Sequence, residues 1–326
     1  MKNSIFLPLA MLLCLLAACE HKDLCYDHTH TAEVKVVFDW RHAPEAQPSS
    51  MRLYLYPADG GKMLPYEFAG RNGGVITIPG GSYRALCINN DAESVIYTGP
   101  ETFEGFEAST TNSTKTGYPR TVRGYADPET ESLHRSPEML WTDRRDDIHI
   151  VLGVKDQTIT LYPDTSVCLY TVEIRNAKNL KDLSPFAISG SLTGLSEGFL
   201  VGRNKLDDNL TTVPFEAQHD QVSTIKASFL GFGHKRDANL KHWLFIYVRM
   251  PDGKNYYHTY DVTDQLLRAT DKHHVHILLD GLPCPNPSKT ETGCSRRWTT
   301  GKKSSSTSRC KETSERDHSY IYQYFK

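Results

Sequence analysis

The sequence has 326 residues, of which 23% are charged, and its formal net charge is −2. This length is enough for two domains of ordinary size, each with its own core. The near-neutral charge shows no overall basic bias of the kind that indicates a nucleic-acid-binding surface, so no nucleic-acid partner is predicted.

The N-terminal residues have the pattern of an export signal. Lys2 precedes an apolar run, residues 5–18, which is too short for an ordinary transmembrane helix. The run ends in Leu-Ala-Ala-Cys, which resembles the lipobox of bacterial lipoproteins. We therefore predict a lipoprotein signal peptide over residues 1–18 and acylation of Cys19, with several acyl chains giving stable membrane attachment. An ordinary signal peptide followed by an unmodified cysteine is the alternative.

Residues 19–31 are rich in side chains that can bind metals, among them Asp27, His28 and His30. In an extended segment His28 and His30 share a face, with their backbones about 7 Å apart, whereas Asp27 points away. This geometry disfavours a compact metal site. We interpret the segment as a polar tether without a metal, and the role of Cys25 stays open.

From Thr31 onward, apolar and polar residues alternate with the period of a β-strand. Residues 32–40 and 51–57 are predicted to be half-buried antiparallel strands. The sequence Pro-Gly-Gly at 79–81 separates two further strands and predicts a β-hairpin. Residues 148–153 close this first series.

Residues 108–145 are rich in Ser, Thr and Pro and are predicted to contain a solvated loop. A second strand series begins at residue 157, and the apolar residues from Cys168 to Ile174 share one strand face. A Pro-Asp-Gly turn at 251–253 predicts a hairpin between two aromatic-rich strands. Thr263 is the predicted N-cap of the one clear helix.

Many short strands separated by turn residues indicate an all-β fold, and we predict two tandem β-sandwich domains. The predicted boundaries are 1–18 for the signal peptide, 19–31 for the tether, 32–155 for the N-terminal sandwich, 156–283 for the C-terminal sandwich and 284–326 for an aberrant basic tail.

Three motifs resemble those of a known family: His-Lys-Asp-Leu-Cys-Tyr-Asp-His at 21–28, Val-Lys-Val-Val-Phe-Asp-Trp at 34–40, and Gly-Ser-Tyr-Arg-Ala-Leu-Cys-Ile-Asn-Asn-Asp at 81–91. Together with the lipobox, they resemble the FimB-type fimbrial anchor lipoproteins (Mfa/FimB superfamily) of Bacteroidales, and a separate branch of that superfamily in particular. The resemblance covers residues 1–283 in motif order and is strongest in the first hundred residues.

This resemblance implies two transthyretin-like β-sandwiches and a lipid anchor in the outer membrane, at the cell surface. It also implies a role as fimbrial anchor or assembly accessory subunit. The implied partners are fimbrial shaft or accessory subunits, and the implied mode of assembly is the addition of a strand at an exposed sheet edge.

The sequence lacks the patterns expected of a catalytic site. It has no nucleophile elbow, phosphate loop, zincin helix or kinase signature. We therefore predict a non-enzymatic protein with no cofactor. His274 and His276 are expected to form a solvent-facing pair, because no carboxylate or cysteine lies at a suitable local spacing.

Cys87 and Cys168 lie on apolar strand faces and are predicted to be core thiols. Exported proteins can form disulfides, but the sequence does not decide the pairing among the cysteines that remain. These are Cys25, Cys87, Cys168, Cys284, Cys294 and Cys310.

Aromatic residues suggest an alternative function, a surface carbohydrate-binding lipoprotein. Flat rings on a sandwich face can cover the apolar faces of sugars, although aromatic residues also favour strands for packing reasons alone. The candidates for such a platform are Tyr54, Tyr56, Trp141, Trp243, Tyr256 and Tyr257.

The C-terminal tail differs in character from the rest of the chain. Residues 283–326 contain nine Lys and Arg against four Asp and Glu, so their net charge is +5, and they show no strand period. Permitted codons read one nucleotide earlier can encode an acidic, Trp-containing segment that resembles the closing strand of the family. We hypothesise a frameshift near codon 287, which would leave the second sandwich without its last native strand. The nucleotide sequence tests this hypothesis.

Overall fold

The computed structural model describes residues 30–112, 132–284 and 309–313. Within these ranges the protein is almost entirely β, and the predicted all-β fold class is confirmed. One α-helix, α1 (Thr263–Arg268), and one 3-10 turn, Val201–Arg203, accompany the strands. The strands are β1 (Thr31–Phe38), β2 (Ser50–Pro57), β3 (Leu64–Ala69), β4 (Gly73–Pro79), β5 (Gly81–Asn89), β6 (Val95–Thr98), β7 (Glu107–Thr110), β8 (Ser132–Leu133), β9 (Trp141–Ile150), β10 (Gln157–Leu161), β11 (Asp164–Thr165), β12 (Cys168–Arg175), β13 (Ile188–Ser196), β14 (Gly198–Leu200), β15 (Lys205–Leu206), β16 (Leu210–Glu216), β17 (Gln218–His219), β18 (Ile225–Gly231), β19 (Trp243–Arg249), β20 (Asn255–Asp261), β21 (His274–Asp280) and β22 (Arg309–Thr313).

A three-stranded sheet and a five-stranded sheet enclose the first core. Their strand orders are β10-β1-β4 and β11-β9-β5-β2-β3. Val34, Val36 and Phe38 occupy every second position of β1, so all three lie on one face. They are buried in the same core as Met51 and Leu53 of β2, as the alternation predicted.

The second core lies between a four-stranded sheet, β17-β18-β12-β21, and a six-stranded sheet, β22-β20-β19-β13-β16-β8. An aromatic stack links the two sheets: the ring centroid of Tyr170 is 5.4 Å from that of Phe229, which is 4.6 Å from that of Phe215. The hairpin predicted around residues 251–253 is confirmed, since β19 and β20 pair antiparallel with Trp243 opposite Asp261.

A fifth sheet, β15-β14-β7-β6, combines strands from both halves of the chain. Ala108 of β7 pairs with Phe199 of β14. Beneath this sheet a third core contains Tyr54 and Tyr56, which project from β2 on the side opposite to the first core, and Phe106. The five-stranded sheet is therefore covered on both faces, which the half-buried pattern of β2 did not predict.

Two predicted strand connections are corrected by the pairing. Pro79, Gly80 and Gly81 do not form a hairpin, because β4 pairs with β1 whereas β5 pairs with β2 and β9. The turn instead carries the chain from one sheet to the other. β10, expected to begin the second series, pairs in parallel with β1, and its Ile159 and Leu161 belong to the first core. The division into two domains stays a prediction.

Two further expectations also change. The predicted helix is present, but its N-cap is Val262, and Thr263 is the first helical residue, whose hydroxyl accepts a hydrogen bond from the His242 N–H at 2.9 Å. In the tail, Arg309–Thr313 pairs antiparallel with β20 even though no strand period is visible there. The other residues on which the frameshift hypothesis rests, from 285 on, lie outside the described part of the chain.

Candidate functional site

The N-terminal tether leads into one end of the first sandwich. Cys19, Cys25, Asp27 and His28 lie outside the described residues, so acylation of Cys19 stays a prediction. The carbonyl of His30, which is exposed, accepts a hydrogen bond from the N–H of Gly80 at 3.2 Å. The chain therefore enters the fold beside the turn between β4 and β5.

Strand addition requires a sheet edge whose backbone groups are accessible. The edge strand β21 is blocked by a glutamine from α1. The Gln265 side chain donates from Nε2 to the carbonyl of Leu278 at 3.1 Å, and its Oε1 accepts from the Leu278 N–H at 2.8 Å. One amide thus occupies both backbone groups that a new strand would need at this position.

Other edges are also blocked or weakened. On β18, the hydroxyl of Ser136 accepts from the Leu230 N–H at 3.0 Å and donates to its carbonyl at 2.9 Å. On β3, Pro65 lacks an N–H and Glu67 adds a charge, both of which oppose the pairing of a further strand. The edges of β16 and β20 are covered by β8 and β22, respectively.

The edge of β4 is different. The N–H of Gly80, one residue beyond the Thr31–Pro79 pair, donates a hydrogen bond to the carbonyl of His30, so the backbone groups of Gly80 point toward β1. Because successive residues of a strand direct their backbone groups to opposite sides, the N–H and C=O groups of Val75 and Thr77 point away from β1. In the described part of the chain, neither of these N–H groups donates a hydrogen bond, whereas the carbonyl of Thr77 accepts one from the hydroxyl of Tyr66 at 3.0 Å.

The residues of β4 suit an acceptor edge. The strand contains no charged residue, and the side chain of Val75 is 68% exposed. Lys35 and Glu33 of β1 lie opposite Val75 and Thr77 and are exposed on the same sheet. Since uncharged, exposed edges are those that accept further strands, β4 is a candidate for strand addition.

The predicted aromatic platform is not formed. Tyr54 and Tyr56 are buried in the third core, Tyr256 is buried in the second core, and Trp141 packs against the first core. Trp243 and Tyr257 are partly exposed on β19 and β20. The six rings therefore serve different cores and sheets, and they provide no common surface for a sugar.

The predicted thiols and histidine pair occupy the expected surroundings. Cys87 and Cys168 are buried, and burial raises the pKa of both thiols, to about 11 for Cys168. His274 and His276 lie on the exposed face of β21, and both rings hydrogen-bond the hydroxyl of Thr171 at 2.9 Å. The two imidazole rings therefore hold the Thr171 hydroxyl between them.

Residues 30–112, 132–284 and 309–313 contain neither a cluster of metal-binding side chains nor a membrane-spanning helix. In this part of the protein, no three His, Cys, Asp or Glu side chains converge as a metal site would require. Likewise, no helix there has both the length and the apolar character needed to cross a membrane.

Comparisons with known proteins place the sequence in a family. Residues 18–216 match the family described as Domain of unknown function (DUF5119). The chain belongs to this family. This DUF5119 chain is also 24% identical to a Bacteroides ovatus protein provisionally named fimbrium anchoring subunit Fim4B, over 72% of this chain and 66% of that protein. The match thus spans slightly less than two thirds of the relative, and the predicted resemblance to fimbrial anchor proteins is confirmed.

Two solved structures share the fold of this DUF5119 chain. A Bacteroides ovatus protein provisionally described as an adhesin is 20% identical, with a TM-score of 0.59, over 79% of this chain and 95% of that one. A Bacteroides thetaiotaomicron protein provisionally described as polysaccharide-binding is 15% identical, with a TM-score of 0.50, over 76% of this chain and 90% of that one.

Proposed function

We propose that this chain is a non-enzymatic lipoprotein of the outer-membrane surface that acts as a fimbrial anchor or assembly accessory subunit. The similarity to the relative named fimbrium anchoring subunit supports this role. The lipobox supports attachment through Cys19. Its partners in this role are the outer membrane and fimbrial shaft or accessory subunits.

The uncharged edge of β4 is the observation that supports strand addition most strongly. An extended segment of a fimbrial subunit pairs beside β4 and accepts hydrogen bonds from the N–H groups of Val75 and Thr77. Main-chain hydrogen bonds of this kind supply affinity, and side-chain contacts at alternate positions supply specificity. The edges of β21, β18 and β3 are less suitable because Gln265, Ser136 and Pro65, respectively, oppose pairing there.

A proline at position 75 tests the role of this edge. The Val75→Pro variant removes an N–H that points away from β1, so the sheet pairing is retained while the donor for an added strand is lost. We expect capture of fimbrial subunits from fimbriated cells to fall about tenfold, which corresponds to about 1.4 kcal/mol. The matched control Val75→Thr keeps the N–H and should capture normally. Equal capture by all three proteins would exclude β4 as the acceptor.

The lipid anchor is tested separately at Cys19. The Cys19→Ala variant has no thiol to acylate, so we expect the protein, and any fimbriae that it holds, to be released from the outer-membrane fraction. Membrane fractionation followed by immunoblotting measures this release. An unchanged distribution between membrane and medium contradicts the proposed anchor.

A further inference from the structure

Three aliphatic side chains protrude from the turn that follows β9. Val151 is 54% exposed, Leu152 is 43% exposed and Val154 is 50% exposed. Single exposed apolar residues are ordinary on a protein surface, but three within four positions form a patch whose burial is favourable. We call these three residues the apolar tip.

The apolar tip is held in one conformation by a side-chain amide. The Oε1 atom of Gln157 accepts a hydrogen bond from the Val151 N–H at 2.8 Å. Its Nε2 atom donates to the carbonyls of Val151 and Val154 at 2.9 and 3.1 Å. Gly153, with a φ of 78°, supplies the left-handed conformation that the turn needs. Contact with a partner would therefore cost little conformational entropy.

The apolar tip lies where the N-terminal tether enters the fold. Leu152 packs so closely on Gly80 that a Cβ atom at that position would be 2.7 Å from the Leu152 Cγ. Gly80 is the residue whose N–H binds the carbonyl of His30. The twelve residues from Cys19 to His30 span at most about 38 Å when fully extended, because eleven Cα–Cα steps separate the first from the last. If Cys19 carries lipid, the tip is at the end of the protein nearest the membrane.

We propose that the apolar tip contacts the lipid surface to which the chain is anchored. This inference rests on the lipid anchor proposed above. Aliphatic side chains enter the boundary between headgroups and acyl chains, and the exposed side chain of Lys155, next in the sequence, reaches phosphate groups. The contact orients the first sandwich, so that the turn after β9 faces the membrane and its strands lead away from the lipid surface.

A lipid surface fits the tip better than a protein partner does. A stable protein interface buries about 20–30 residues on each side, whereas this patch has three apolar side chains. A small apolar contact suffices at a membrane, because acyl chains on Cys19 would already hold the protein there at a high effective concentration.

Tryptophan fluorescence of the full-length lipoprotein tests the contact. Leu152→Trp is reconstituted in vesicles of phosphatidylethanolamine and phosphatidylglycerol whose acyl chains carry bromine, which quenches nearby tryptophan. The signal of the wild-type protein, with its four native Trp residues, is subtracted. Val154→Trp repeats the measurement at a second tip position in case one variant folds poorly. The control is Val222→Trp, at an aliphatic position that is 75% exposed on the second half of the protein.

The expected result is flotation of all variants with the vesicles, and quenching of the tip tryptophans at least threefold stronger than at position 222. Flotation with equal quenching at the three positions overturns the tip contact and leaves the anchor intact. Failure of the wild-type protein to float overturns the lipid anchor, and the inference falls with it. The two failures are therefore distinguishable.

Discussion

Buried histidines make the stability of this protein sensitive to acid. His258 of β20 is almost completely buried, and burial lowers its pKa to about 4. Burial, together with the neighbouring His242, likewise lowers the pKa of His234 to about 4. An unfolded histidine titrates near 6.5, so between pH 6.5 and 4 the unfolded chain binds protons that the folded protein does not. We therefore expect the free energy of unfolding to fall as the pH falls through this window.

The His258→Leu variant isolates one of these residues. Each such histidine contributes a slope of up to about 1.4 kcal/mol per pH unit between pH 6.5 and 4, and the variant should lose one contribution. Urea unfolding at several pH values measures the slope. Above pH 7, where the histidine is neutral in both states, wild type and variant should differ by a constant amount, which serves as the internal control. An unchanged slope at acid pH would show that His258 takes up its proton in the folded state.

Single residues were predictable where their neighbours in sequence determine their surroundings. The burial of Cys87 and Cys168 follows from the apolar faces of their own strands. Gln265 was not predictable as a blocking residue, because its partner Leu278 lies on another element. The sequence predicts Tyr54 and Tyr56 on a surface platform because the residues that cover them lie on distant strands.

At the scale of elements, alternation identified strands reliably but did not identify their partners. β1 and β12 have the predicted buried faces, and the β19–β20 hairpin follows from its turn residues. The pairing of β10 with β1 depends on two segments more than a hundred residues apart, which local periodicity cannot reveal. The candidate acceptor edge is likewise a property of sheet order, so the sequence predicted strand addition only through resemblance.

The blocking of β21 by α1 can be tested at Gln265. The Gln265→Ala variant leaves the N–H and C=O groups of Leu278 without the amide, a loss of about 1–2 kcal/mol in the free energy of unfolding. The uncovered edge should also favour self-association at high concentration. Chemical unfolding and light scattering measure the two effects. Arg268→Ala, in the exposed last turn of the same helix, is the matched control and should change neither.

At the scale of the whole molecule, the sheet β15-β14-β7-β6 makes the two halves of the chain depend on each other. β7 belongs to the first half, whereas β14 belongs to the second half, yet the two strands pair. Phe199 and Phe232 from the second half share the third core with Leu86 and Phe106 from the first. Because this core is completed by both halves, the described strands should unfold together rather than as independent sandwiches.

Gly198 is a position at which this coupling can be tested. A Cβ atom there would lie 2.6 Å from the Glu107 Oε1 and 2.8 Å from the carbonyl oxygen of Ala108, so Gly198→Val must separate β14 from β7. We expect calorimetry to show one unfolding transition for the wild type and two for the variant.

Val172→Ala, which creates a cavity in the second core alone, controls for simple destabilisation. It should lower the transition temperature by several degrees without splitting the transition, because the sheet β15-β14-β7-β6 still transmits the loss to the first half. Two transitions in the wild type would instead show that the first and second cores unfold independently.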